Sequence, residues 1–441
     1  MLRLHRATVS VLLVICGAVR AAQGAPDAAL DGYWSGWAER DGDRTPVALR
    51  LVSQGPRITG TVDWPSMGYL KTDLINVETD GPTVGVSVPL PVGAIKLIGA
   101  RSDSRISGTL DLIGLVHGQW QSLGVGGAFE LRRGDEPVVP YAVENVTFGT
   151  AEVTLSGSLF LPDGQSKHPA VVYIAGSGDT TRGDGSFLAD RLARAGIATL
   201  VYDKRGTGQS TGNWQRGGFD ELAADAAAAL GVLQRRADIA HVRTGFVCQS
   251  QGCWVAPIAL RQGAAAHFLV AQSGPGVSVS IEDLDHYRVR LTSEGFGPHD
   301  IDEAFDLVTK SQDVSRGTAT WAGFQATLDT YKDRAWFKAL GYSPEPQDAP
   351  GRLFERNTIG YDPAENLDAI RIPSLWIYGA ADEIIPVPAS IDAIRRANAA
   401  PKPEIVVLPN AGHSFTIGQR PIPRMAPGYP ELVIAWIKQR R

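Results

Sequence analysis

The chain predicts an α/β fold: a mostly parallel eight-stranded sheet with a helical insertion, preceded by a small all-β module. Three observations carry this. From about residue 141 onward, short apolar runs alternate with helical patterns, which calls for parallel strands covered on both faces. Between about 276 and 370 that alternation stops and aromatic residues recur at helical spacing, as expected of an inserted cap. From Asp31 to Arg133 the chain instead shows short alternating segments punctuated by Gly, Pro and Asp, which is all-β patterning.

Residues 1–24 read as a secretory leader, with Arg3 and Arg6, an apolar run from Val9 to Val19, and the small-residue site Ala22-Gln23-Gly24. A periplasmic or secreted location is therefore expected. The run is short for a membrane span, and no other segment reads as one. Residues 25–133 form the all-β module. Within it Arg57-Ile58-Thr59-Gly60-Thr61-Val62-Asp63 and Arg105-Ile106-Ser107-Gly108-Thr109-Leu110-Asp111 resemble each other, which suggests two matching meanders in a small barrel or sandwich. Tyr33, Trp34, Trp37, Trp64, Trp120 and Phe129 are expected in its core, with an exposed sugar-binding face as the alternative. Residues 134–140 read as a linker. The α/β core then spans 141–275 and 371–441, with strands expected near 145–149, 153–161, 170–175, 197–202, 242–248, 266–272, 373–378 and 404–408. The cap spans 276–370. Its aromatic residues are expected to form a small core of its own and in part to line a pocket.

Chemistry concentrates at the ends of those strands. In Gly245-Phe246-Val247-Cys248-Gln249-Ser250-Gln251-Gly252 a serine stands between an apolar run and a helical one, with small residues two positions to either side. A turn that sharp holds the serine oxygen clear of the backbone and aims the first helical N–H groups beside it. A nucleophilic serine needs a base and an orienting acid. Asp382 follows the run Pro373 to Tyr378, and His413 follows Glu404 to Leu408, so the order is Ser, Asp, His, each just past a strand. Glu383 is the alternative acid. Among the other histidines, only His286 and His299 fall where they could line a pocket.

These motifs, from about Tyr141 to the end, resemble the α/β-hydrolase superfamily, and within it bacterial serine esterases and serine aminopeptidase-like hydrolases. Ala170-Val171-Val172-Tyr173-Ile174-Ala175-Gly176-Ser177-Gly178 is similar to the family's oxyanion loop, and Tyr202-Asp203-Lys204-Arg205-Gly206-Thr207-Gly208-Gln209-Ser210 to its D-x-R-G-x-G-x-S turn, read as structural. The resemblance implies an α/β-hydrolase fold, a Ser250–His413–Asp382 triad, and an oxyanion hole made by the backbone N–H groups of Ser177 and Gln251. It implies hydrolysis of a small-molecule ester without a cofactor; the cap's aromatic residues and the lack of a cationic patch near the motifs add the expectation of an apolar pocket favouring short-to-medium acyl groups. Cys248, Gln251 and Cys253 depart from the family's usual Gly, Glu and Gly. The alternatives are a serine aminopeptidase, which would need acids such as Glu282 or Asp283 near the pocket, and a binding protein whose hydrolase core is inert.

Other functions find little support. Gly176-x-Gly178 and Gly206-x-Gly208 lack the third glycine of a dinucleotide loop, Thr181 and Thr211 standing there. No Cys/His spacing suits a metal. Removing the leader's three arginines takes the net charge from −5 to −8, which disfavours nucleic acid. Of the three cysteines, Cys16 lies in the leader. Cys248 and Cys253 are expected as small buried thiols, because a strand-to-helix turn is not expected to supply disulfide geometry.

Overall fold

The computed structural model describes residues 30–440 except 41, 56, 91–92, 117–118, 165, 342–345 and 419–423. The expected leader lies outside these residues. Nine strands make the first unit: β1 (Gly32–Arg40), β2 (Asp43–Gln54), β3 (Arg57–Trp64), β4 (Tyr69–Asp73), β5 (Asn76–Asp80), β6 (Thr83–Pro89), β7 (Ala94–Ser102), β8 (Arg105–Val116) and β9 (Gln119–Gly134). Every pairing is antiparallel, in the order β4-β3-β2-β1-β9-β8-β7-β6-β5. The edge strands β4 and β5 are joined only by Leu74 and Ile75, so the sheet must curl until its edges approach. Leu74 N donates to Gly60 O at 2.9 Å and Ile75 N to Ser87 O at 2.9 Å, one bond to each side of that seam. The two similar fragments are β3 and the start of β8, each the second strand of a hairpin, paired with β2 and β7 respectively.

Side chains alternate across a strand, and this corrects the expected core. Trp34, Trp64 and Phe129 are buried with Val47, Leu49, Leu97 and Leu131. Tyr33 and Trp37 are only half-buried. They have the opposite parity to Trp34 and Ala38 on β1, and the guanidinium groups of Arg50 and Arg44 lie 5.3 and 3.8 Å from their ring centroids. The side chain of Trp120 lies outside the described set. The hairpin of Thr416–Ile417 with Arg424–Met425 groups with this unit, Arg424 pairing with Asp43.

The second unit holds an eight-stranded sheet: β10 (Tyr141–Gly149), β11 (Thr154–Pro162), β12 (His168–Ile174), β13 (Ala198–Tyr202), β14 (Ile239–Gln249), β15 (Phe268–Gln272), β16 (Ser374–Gly379) and β17 (Glu404–Leu408). Its order is β10-β11-β13-β12-β14-β15-β16-β17; β11 pairs antiparallel with both β10 and β13, and the other pairings are parallel. All seven residues of β12 are buried, so both faces are covered. On one face the helices α2 (Phe219–Gln234) and α3 (Gly252–Arg261) share one apolar cluster with Val172, Leu200 and Phe246, while α1 (Gly183–Arg194) packs against Tyr173 and Val201, which have the opposite parity and so face the other side of the sheet.

The interval after β15 is helical, as expected: α4 (Val279–Ser293), α5 (Pro298–Arg316), α6 (Trp321–Tyr331), α7 (Ala335–Leu340), α8 (Pro350–Thr358) and α9 (Ala364–Asp368). Leu291, Leu307, Val308, Phe324, Trp336 and Leu340 form a core separate from that of the sheet. Phe354 and Tyr361 instead pack edge-on against Phe219, with ring centroids 5.8 and 5.0 Å away. Phe324, Trp336, Phe354 and Tyr361 of the cap are thus packing residues. After β16 come α10 (Val387–Arg396) and, at the end, α11 (Tyr429–Lys438).

Candidate active site

Parallel strands in register bring their following loops to one edge, where ligands of such sheets bind. Ile174 pairs with Cys248, Gln249 with Gln272, Gln272 with Ile377 and Gly379 with Leu408. Gly176, Ser177, Ser250, Ser273, Asp382 and His413 all lie just beyond those positions.

Ser250 has φ 51°, in the left-handed region that a side chain adopts at a cost. Its N–H donates to Gln272 O at 2.9 Å, and its own carbonyl accepts from Cys253 N at 2.8 Å. Gly252 is required: a Cβ there would collide with Ile174 O and sit 2.8 Å from Ala175 O. The same tightness overturns the expectation for the cysteines. Cys248 and Cys253 form a disulfide, their Cα atoms 5.1 Å apart and so within bonding range. The chain reverses so sharply that a strand-end residue and one in the first helical turn come face to face. Both are buried.

The candidate acid and the candidate base are paired. His413 Nδ1 lies 3.1 and 3.0 Å from the two carboxylate oxygens of Asp382. Asp382 Oδ1 also accepts from the N–H groups of Ile384 and Ile385 at 2.9 and 3.0 Å. Burial would raise this carboxyl; the His413 hydrogen bond and charge, with those two N–H groups, outweigh burial and hold it below the usual carboxylate range. Glu383 takes another place, its backbone carbonyl 3.1 Å from His286 Nδ1. Ser273 Oγ donates to His413 O at 2.8 Å and Ala381 N to Ala411 O at 2.9 Å, which ties the histidine loop to its neighbours. Gly379 makes room for it, since a Cβ there would meet the carbonyls of Ala411 and Gly412. No hydrogen bond joins Ser250 Oγ to His413 in this structure; free hydrolases commonly tighten that contact only with substrate.

Of the two donors that the resemblance implied, Ser177 is half-buried and Gln251 buried. Among the described residues, neither backbone N–H has an acceptor within the protein. A Cβ on Gly176 would stand 3.3 Å from Ser250 Cβ, so the Ser177 loop runs beside that serine. The D-x-R-G turn is structural as expected: Asp203 accepts from Arg182 and from Gln209 N, and Arg205 pairs with buried Asp225 at 2.7 Å. One residue was only one of several candidates in the sequence. Glu282 on α4 is buried, and neither carboxylate oxygen has a hydrogen-bond partner. Burial, with the charges of Asp283 and Asp382, pushes its carboxyl up to about 8. His299 lies exposed beside Glu303 at 3.7 Å, away from these loops. Among the described residues no group of His, Cys, Asp or Glu is placed to hold a metal.

Residues 171–426, more than half of the chain, match the family model described as "Alpha/beta hydrolase family". The chain belongs to that family. Solved structures to which the chain is similar include a hypothetical protein of Pseudomonas aeruginosa, 18% identical over 69% of this chain and 95% of that one, with a TM-score of 0.44. An esterase of Pyrococcus furiosus is 17% identical over 68% of this chain and 90% of its own, with a TM-score of 0.42. An esterase of Thermogutta terrifontis is 18% identical over 67% and 97%, with a TM-score of 0.41. No curated protein matches this α/β hydrolase significantly. No helix among the described residues is long and apolar enough to cross a membrane.

Proposed function

We propose that this α/β hydrolase is a secreted or periplasmic carboxylesterase that works through an acyl-enzyme. Ser250 Oγ attacks the ester carbonyl while His413 Nε2 takes its proton, and Asp382 holds the imidazole by Nδ1 and supports its charge. The N–H groups of Ser177 and Gln251 hold the oxyanion. The intermediate collapses, His413 returns the proton to the leaving alcohol, and water repeats the sequence to release the acid. The observation that carries this reading is the Asp382–His413 pair, at 3.0 Å, on the same sheet edge as a serine with φ 51°. The buried Cys248–Cys253 disulfide supports an oxidising compartment. Short-to-medium neutral acyl esters are the proposed substrates, each methylene gaining about 0.8 kcal/mol until the pocket is full. Fluorophosphonate labelling, mapped by peptide mass analysis, is expected on Ser250; a label on another serine, or none, would sink the assignment and favour an inert core.

A second reading, an aminopeptidase-like hydrolase, draws support from Glu282. A buried carboxyl without a partner is costly, and a substrate ammonium would supply one. kcat/KM across nitrophenyl esters and aminoacyl nitroanilides separates the two. Anilide turnover equal to the best ester, lost in Glu282→Gln, would favour the amine.

A further inference from the structure

Lys204 comes two residues after β13 and is 7% exposed. Its ammonium donates to Gly176 O at 2.6 Å and to Gly178 O at 2.9 Å, the two carbonyls that bracket Ser177. Nζ lies 5.3 Å from the centroid of the Trp214 ring. The acids that act on it from a distance, Asp184 and Asp179, are engaged elsewhere: Asp184 accepts from Thr181 N at 2.7 Å and Asp179 from Trp214 Nε1 at 2.7 Å. Burial lowers this ammonium to about 7, and the two acids offset only part of that. A cation taken out of water and given carbonyls instead of a carboxylate is an expensive arrangement, of the kind functional sites retain.

We propose that Lys204 is a positioning residue for the oxyanion hole: it fixes and polarises the peptide group between Gly176 and Ser177, so that the Ser177 N–H is presented to the reacting carbonyl oxygen. The inference rests on the serine-hydrolase reading. A trans peptide is planar, with its oxygen and its hydrogen on opposite sides. Anchoring Gly176 O on Lys204 therefore turns the Ser177 N–H away from the lysine. Gly176 lies between the lysine and the nucleophile, a Cβ on it falling 3.9 Å from Ser250 Oγ. The second bond, to Gly178 O, stops the loop from swivelling about Ser177 where Gly178 adopts φ +85°. A positive charge on the carbonyl end also makes the amide a stronger donor at its other end. Lys204 thus acts on the substrate through one peptide group without touching it.

The test compares wild type, Ser250→Ala, Lys204→Met, Lys204→Gln and Lys204→Arg as full chains. Four quantities are measured: kcat and KM on a nitrophenyl ester, the inhibition constant of a trifluoromethyl ketone of the same acyl chain, and that of the free acid. The ketone adds to serine and develops an oxyanion; the acid does not. In Lys204→Met, kcat should fall about tenfold or more, with KM changed by less than about threefold. Ketone affinity should fall by the same factor and acid affinity should stay, while Lys204→Arg recovers part of both losses. Full kcat in Lys204→Met, a kcat loss without the ketone loss, or failure of all three variants to fold would overturn the proposal. A wild type that neither turns over nor accepts fluorophosphonate overturns the serine-hydrolase reading itself, which an active wild type with an equally active Lys204→Met does not.

Discussion

Two turns at one sheet edge, the Ser250 elbow and the Ser177 loop, are held in shape by opposite means. The elbow is fixed by exclusion and covalency: Gly252 leaves no room for a Cβ, and Cys248 is bonded to Cys253. The Ser177 loop is fixed by attraction, through two hydrogen bonds from one buried ammonium. An elbow so built fails by ceasing to fold correctly. A loop so built fails by drifting while the fold survives. Preorganisation is common to both, but only the second can be tuned by one side chain.

The largest effects should come from the chemical groups the elbow serves. Ser250→Ala and His413→Ala should each lower kcat by about 10⁴-fold or more, and Asp382→Asn comparably through the wrong imidazole tautomer. Unchanged melting temperatures would show that the elbow tolerates alanine, and if Glu383→Gln rather than Asp382→Asn removes activity, the acid is misassigned. Next in size is Gly252→Ala, expected to cost at least about 1–3 kcal/mol by overpacking. A soluble, fully active Gly252→Ala enzyme would mean that exclusion does not hold the elbow.

A smaller loss is expected for Cys248→Ser with Cys253→Ser. With a sequence separation of 5 the bridge closes a short loop, so chain entropy assigns it only about 2 kcal/mol. Thermal melts should shift by several degrees with kcat nearly kept; a collapse of kcat at unchanged stability would instead assign the bridge to nucleophile geometry. The last effect depends on pH and concerns Glu282. Its folded carboxyl titrates at about 8 against an ordinary 4.5, so the folded state binds the extra proton between those values. Stability from this group is fully present below 4.5 and is lost as pH rises towards 8. Glu282→Gln should therefore match wild type near pH 5 and melt progressively higher than it up to pH 8; parallel curves would mean that Glu282 is not held neutral.

Much of this was legible because sterics write themselves into residue choice. The sheet strands after β11 were placed within a few residues, since fully buried strands read as unbroken apolar runs. β10 begins at Tyr141, four residues ahead of its expected start, because an edge strand with an exposed face alternates weakly. Ser250, Asp382 and His413 were singled out from motifs that each follow a strand, and all three lie past strand ends of one sheet. The Cys248–Cys253 bond was missed because sequence spacing does not convey how deeply the turn folds back. Tyr33 and Trp37 were misplaced by counting aromatics without strand parity. Lys204 carried no signal of its part, because its partners are the carbonyls of Gly176 and Gly178, and backbone acceptors leave no trace in residue type.

The bond across the elbow also settles the chain's thiol inventory. The sequence has three cysteines, and two of them are consumed in that bridge. The third, Cys16, falls inside the expected leader. A chain processed at Gly24 thus has no sulfhydryl for maleimides, mercurials or iodoacetamide to attack. Any one cysteine introduced on its surface would be a unique attachment point, ready for a spin label or a fluorophore without prior removal of native thiols.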